Sequence, residues 1–292
     1  MRPKIQDSPY GACAVPTPAA VAVGLALRAL RTARHIGLRQ LAATLDLRAA
    51  DLSSWETAKR NPPITAVAHL LGAHHADRAT IQRILDQARH IDDPALVDTH
   101  GRDHTILASH YEHLATHVFV WAPTLVPYLL RTPEYHLHLL THPFAGTGHA
   151  DAPQSTEPPR RNGPADSDRR YTFLVGDTAL HTCPAQLRAG QLDTLVRMAA
   201  RPNITLRVVP TDVCPPGLIN PFTLYGAHNV TLAAAVHHHR ASTYLTGHDT
   251  LAAYKGLTRM LLNHAVDLQS VEDTPLPATA ESSEPLGAAE AS

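Results

Sequence analysis

Histidine and paired aspartates carry most of the latent chemistry of this chain: 21 of its 292 residues are His. In an extended strand His237 and His239 fall on one face, so both rings could ligate a metal, with His228 or His110 as the third ligand. The competing reading is a polar strand end, because so many histidines make local runs by chance. Asp92 and Asp93, followed by Asp98, form an acidic cluster that could hold Mg²⁺ against a diphosphate. They also follow a basic helix end at His90 and adjoin Pro94, the setting of a solvated linker. Ser109 beside His110, Cys183, and Cys214 before Pro215-Pro216 supply no ordered nucleophile, base and orienting group. No glycine-rich phosphate loop is present. Three cysteines without metal-ligand spacing argue against a disulfide framework or a zinc ribbon, and for a reduced, cytoplasmic setting. No cofactor is expected; a divalent metal belongs only to an enzymatic alternative.

The formal charge of −1 hides opposite local charges. Between Gly24 and His90 ten Lys/Arg face five Asp/Glu, a balance of +5. Between Val271 and Ser292 there are five acids and no base, in a Pro/Ala/Ser-rich background that reads as disordered. A basic segment of this size can meet nucleic acid where the whole-chain charge would not suggest it. No apolar run reaches the length of a membrane span, and the first residues lack a basic-then-apolar signal pattern.

Apolar residues recur at helical spacing through Val23, Leu27, Leu30; Leu41, Ala42, Leu45; Leu52, Trp55; and Ile64, Val67, Leu70, Leu71, with breaks at 35–37, 46–48 and 61–63. This predicts a compact bundle of short helices. Farther on, 110–115 and 128–135 read as helices around an extended Pro-containing piece. Residues 171–175, 204–210, 222–225 and 230–236 read as strands, with helices over 184–200 and 249–266. The fold class expected is α+β: an all-α bundle, then a domain with a small sheet backed by helices. The divisions are a disordered N-terminus at 1–20, the bundle at 21–90, a linker at 91–102, an α+β domain at 103–270 with a flexible loop at 141–168, and the acidic tail at 271–292.

Within the bundle the order of residues says more than the periodicity. Gln40-Leu41-Ala42 is followed, after a short turn at Asp46, by Leu52-Ser53 and Trp55-Glu56, then by Lys59-Arg60 before Pro62-Pro63. This resembles the helix-turn-helix of the lambda-repressor-like, xenobiotic-response-element (XRE) regulators. The resemblance implies that the second helix enters the major groove of double-stranded DNA. Arg48, Ala49, Ala50 and Ser54 would then face bases, while Arg39, Gln40, Ser53, Lys59 and Arg60 would meet phosphates or seat the helix. Arg48 could grip guanine O6 and N7. Gly37 and Arg48 stand at N-cap positions, and Asp46 and Ala58 stand where that family has glycine. Asp51 brings a negative charge near the DNA face, where an acid can read cytosine N4 but otherwise repels phosphate.

The second half carries Glu112 and Ala115, then Leu125-Val126-Pro127, Leu129-Leu130, Thr132-Pro133-Glu134-Tyr135, Thr178-Ala179-Leu180, Gln191-Leu192, Val208-Val209-Pro210 and Phe222. In this order, from about residue 22 to 272, the blocks resemble actinobacterial regulators with a C-terminal domain of unknown function, the Scr1-type antitoxin-like (DUF5753-like) family. The resemblance implies a homodimeric transcriptional regulator whose C-terminal domain binds a small ligand or small partner protein, with Glu112, Tyr128, Arg131, Tyr135, Asp177 and His237 at the pocket. The alternative is a natural-product enzyme on the same scaffold with a degenerate helix-turn-helix, for which Asp92, Asp93, His237 and His239 are the catalytic candidates and His237 and His239 the metal candidates.

Overall fold

A computed structural model describes residues 15–99, 105–141, 168–213, 218, 220–238 and 241–268. The expected acidic tail, almost all of the expected loop, His239 and residues 1–14 lie outside the described residues. The described residues open with five helices: α1 (Pro18–Ala33), α2 (Leu38–Thr44), α3 (Ala49–Glu56), α4 (Ile64–Ala73) and α5 (Arg78–Arg89). Thr17 starts α1 by accepting from the Ala20 amide, with Pro18 at a position whose missing N–H costs nothing. Asp77 caps α5 in the same way through Thr80. Helix α1 therefore begins inside the stretch expected to be disordered, and Ala19 and Ala20 are already buried.

Four helix ends share one device. After α1, α2, α3 and α4 the chain turns through His35, Asp46, Ala58 and His75, each at positive φ between 43° and 55°. At each, the next amide reaches back to a carbonyl of the last turn, as in Leu47 N–H to Ala42 O (2.8 Å) and Lys59 N–H to Ser54 O (2.9 Å). This closure favours glycine, yet the chain uses His, Asp and Ala. The segments between consecutive helices are thus sharp, and the bundle closes on a core of Val23, Leu27, Leu41, Leu52, Trp55, Val67, Leu70, Leu71 and Ile84.

Helix α1 also crosses α3 closely: a Cβ on Gly24 would lie 2.5 Å from the carbonyl oxygen of Trp55, so no larger residue fits without separating the helices. About two turns along, Arg31 makes a two-pronged pair with Glu56, Nε to Oε1 and Nη2 to Oε2, both 2.7 Å. Its Nη1 donates to the Ile36 carbonyl at 2.9 Å. The Glu56 side chain is only 3% exposed and Arg31 12%, so the pair is sequestered from water. His74 is packed beside it with neither ring nitrogen hydrogen-bonded. Burial, then the charges of Arg34 and Arg31, push its pKa below the ordinary value; Glu56 opposes this more weakly.

The remaining described residues build the expected α+β domain, its sheet mixed and eight-stranded, in the order β1-β7-β6-β5-β2-β3-β4-β8. Its strands are β1 (Ala95–Thr99), β2 (His117–Ala122), β3 (Arg170–Gly176), β4 (Ile204–Val209), β5 (Phe222–Ala227), β6 (Val230–His237), β7 (Ala241–Leu245) and β8 (Val266–Asp267). The helices are α6 (Thr105–Leu114), α7 (Pro133–Thr141), α8 (Asp177–His181), α9 (Ala185–Ala199) and α10 (His248–His264). Parallel pairs join β2, β3 and β4, which is why helices must cross over between them; β5, β6, β7 and β1 run antiparallel. Alternation sorts the side chains: Val118, Phe173, Tyr225 and Tyr244 face Leu107, Tyr111 and Tyr135 of α6 and α7, while Phe119, Trp121, Leu174 and Phe222 face Leu251 and Leu261 of α10.

Residues 95–99, expected within a linker, form the edge strand β1, paired in register from Ala95–Leu245 to Thr99–Ala241. Period-two alternation in five residues was too short to signal a strand; pairing with β7 makes it one. The bundle is therefore continuous with the sheet, since Ala20 and Val21 of α1 belong to the core that also holds Tyr111, Phe173 and Tyr244.

Glu56→Ala leaves a buried guanidinium without its partner and is expected to lower the free energy of unfolding by about 3–5 kcal/mol, measured by chemical denaturation. His74 has a folded-state pKa below its unfolded value, so its contribution is complete above about pH 6.5 and is lost as pH falls through and below that value. Stability is expected to fall below pH 6.5, with His74 contributing a slope of up to about 1.4 kcal/mol per pH unit, and His74→Leu to flatten that slope in denaturation curves taken from pH 7.5 to 5.

Candidate nucleic-acid interface

The geometry of α2 and α3 follows from their short apolar faces. Leu41, Ala42, Leu52 and Trp55 point into the bundle, so the opposite faces are left in water. Arg39 and Gln40 are exposed on α2, Ala50 on α3, and Lys59 and Arg60 just beyond it; Ala49, Ser53 and Ser54 are half-buried. The structure thus brings the nine residues expected at DNA onto the two helices and their borders, with the basic ones outward. The turn between the helices rests on Asp46 at φ 53°, the left-handed conformation that an Asp tolerates. Neither Gly37 nor Arg48 makes a side-chain cap. The Ser54 hydroxyl donates to the Asp51 carbonyl at 2.8 Å, which removes its proton from any base contact.

Asp51 departs from the expected role. Its Oδ2 accepts from Arg48 Nε at 2.7 Å and its Oδ1 from Arg60 Nη1 at 2.9 Å. The carboxylate is 16% exposed beneath guanidinium side chains 80% and 64% exposed. Reading of cytosine by Asp51 is therefore not what this arrangement offers, because both oxygens already hold arginines. Three charged groups form one cluster with a surplus of one positive charge, its cationic side outward.

The other expected sites resolve into local structure. Asp92 accepts from Asn61 Nδ2 at 2.7 Å and Asp93 faces His90 at 3.2 Å, so the two aspartates have separate partners. His237 is buried in the sheet, its Nε2 3.1 Å from the Thr223 hydroxyl and its Nδ1 3.1 Å from that of Ser242. Both ring nitrogens are thus engaged by hydroxyls, which argues against His237 as a metal ligand or catalytic base. Among the described residues no group of three or more His, Cys, Asp or Glu is placed to hold a metal ion, and no helix is long and apolar enough to cross a membrane.

Of the expected pocket, Arg131, Tyr135 and His237 are buried, while Glu112, Tyr128 and Asp177 are half-buried. Arg131 Nε donates to the Val126 carbonyl at 2.7 Å, Tyr128 stands edge-on to His136, and Asp177 accepts from the Thr211 amide and hydroxyl. Glu112 accepts from the Tyr171 hydroxyl at 2.7 Å; burial, then the Glu112 charge, pushes that phenol up to about 12. None of the six lines the cleft of about 280 Å³ that opens between α1 and α5 on one side and β1 and α6 on the other. Ala22, Ala26, Ala29 and Ala33 line this cleft together with Arg83 and Asp98. The cleft has no local signature in the sequence, since its lining is brought together only by the packing of α1 on both halves.

Residues 105–271 match the family model described as "Domain of unknown function (DUF5753)". No curated protein matches the chain. Among solved structures, one described as "Structure of TrmBL2, an archaeal chromatin protein, shows a novel mode of DNA binding" overlaps with a TM-score of 0.34 at 11% identity, covering 69% of this chain and 65% of that one. So loose an overlap bears on neither the fold nor the activity of this chain.

Among the described residues no hydrogen bond or ion pair engages the Asp46 carboxylate, so Asp46→Gly is expected to relieve its left-handed backbone and raise the unfolding free energy by about 0.5–1 kcal/mol, measured by thermal denaturation.

Proposed function

We propose, from the premise that this chain belongs to the DUF5753 family, that it is a DNA-binding transcriptional regulator whose family domain senses a small ligand or small partner protein. The observation that carries the DNA-binding half is the outward basic face of α2 and α3: Arg39, Arg48, Lys59 and Arg60 stand in water while Leu41, Leu52 and Trp55 hold the helices in the bundle. In a helix-turn-helix this face lies against the major groove, with α3 inserted and α2 across the backbone. Arg39, Lys59 and Arg60 then supply the sequence-independent attraction to phosphate, and Arg48 the base contact. As a homodimer the chain would place two α3 helices on half-sites about one helical turn apart.

Support for the sensing half lies in α1. It belongs to the bundle core through Val23 and Leu27 and to the sheet core through Ala20 and Val21. A change in how the family domain holds α1 is thereby a change in the support of α3. The bundle at 21–90 and the domain at 103–270 are on this view two functional units joined through one helix and the strand β1.

Fluorescence anisotropy of the full chain with duplexes from its own upstream DNA, from 50 to 300 mM salt, tests the reading. Binding is expected to weaken steeply with salt, and Arg39→Ala and Lys59→Ala are each expected to reduce the log–log slope by about 1 while weakening all sequences alike. No binding of any duplex at the lowest salt would overturn the proposal.

A further inference from the structure

On the reading of α3 as a DNA-contacting helix, we propose that Asp51 is the positioning residue that sets its base preference. Its carboxylate holds Arg48 so that the tip of the guanidinium meets a guanine, and it contacts no base itself. The geometry assigns each group its part. Arg48 spends its single Nε–H on Asp51 Oδ2 at 2.7 Å, which leaves the terminal Nη1 and Nη2 groups in water on a side chain 80% exposed. Those two nitrogens form the fork that matches guanine O6 and N7, two acceptors side by side. Adenine offers the fork one acceptor and one donor, and cytosine a donor, so both are poorer partners.

Without Asp51 a long arginine at the start of α3 would sample many rotamers. With it, the guanidinium plane is fixed before DNA arrives, which is what turns an attractive charge into a directional contact. Arg60 completes the cluster. Its Nη1 takes the other carboxylate oxygen at 2.9 Å, so Asp51 presents no unneutralised charge to the phosphates. The carboxylate is itself mostly covered, which places it under the arginines and not in the position of a base-reading group.

The test uses the full chain and a random-sequence duplex library. Bound duplexes are enriched, and affinities are then measured for the preferred duplex and for versions with each base pair replaced. The wild-type chain is expected to require one guanine per half-site, with about 5- to 150-fold loss on its replacement. Asp51→Asn and Asp51→Ala are expected to hold non-specific DNA as tightly or more tightly, since a negative charge is gone, while the guanine preference falls to within about 3-fold. Asp51→Glu is expected to restore part of it, and Arg48→Lys to lose it while keeping the charge. A purely structural role for Asp51 would lower affinity for all sequences together and leave the preference intact, and that result overturns the proposal. Enrichment of a site with no critical guanine, or of a cytosine whose recognition disappears in Asp51→Asn, overturns it too. If the wild-type chain enriches nothing and binds no duplex at low salt, the DNA-binding reading itself fails.

Discussion

The buried pair between Arg31 and Glu56 fixes α1 to α3, and α1 is the helix that both cores share. Removing two charges from water is costly, and the pair is tolerable because three of the guanidinium's donors are satisfied, two by the carboxylate and one by the Ile36 carbonyl. Close by, Gly24 lets α1 approach within contact of the Trp55 carbonyl. These contacts leave α3 little freedom relative to α1, and Ala20 and Val21 leave α1 little freedom relative to the sheet. The exposed face of α3 is in this way referenced to a sheet whose nearest strand was expected to be a linker. The cleft lined by α1, α5, β1 and α6 sits at the same junction.

Much of this was legible in the sequence, and what was not has a common cause. The bundle could be read because Leu41, Leu52, Trp55 and Val67 repeat at helical spacing, and the turn because Asp46 can adopt a left-handed backbone where glycine would be usual. Strands β3, β4, β5 and β6 could be read from β-branched alternation. Strand β1 could not, as Ala95–Thr99 is half exposed and takes its structure from β7, well over a hundred residues away. Strand β7, Ala241–Leu245, is likewise only five residues long, although it pairs with the neighbouring β6. The Arg31–Glu56 clamp left no local signature either, because the partners are 25 residues apart and each would pass for a surface charge.

The candidate site shows the same division. That Arg48 and Arg60 stand outward was expected from position along a helix-turn-helix; that one carboxylate organises both was not, since Asp51 read as a charge opposing DNA. The histidines gain a partial account. His35, His75 and His228 occupy left-handed turns, a conformation in which histidine is enriched over most residues, while His74, His136 and His237 are buried among packed elements. The pairing of His237 with Thr223 and Ser242 makes the ring a hydrogen-bonded bridge between three strands.

On the proposed function, the water-facing surface of α2 and α3, held in place by α1, is where this chain meets DNA. Amide chemical-shift mapping of the full chain during titration with duplex DNA tests it most directly. Shifts are expected to concentrate in residues 37–60, led by the amides around Arg48 and Asp51, with the strands of the sheet largely unmoved. Shifts confined to the sheet or to α10, with residues 37–60 unchanged at saturating DNA, would contradict it.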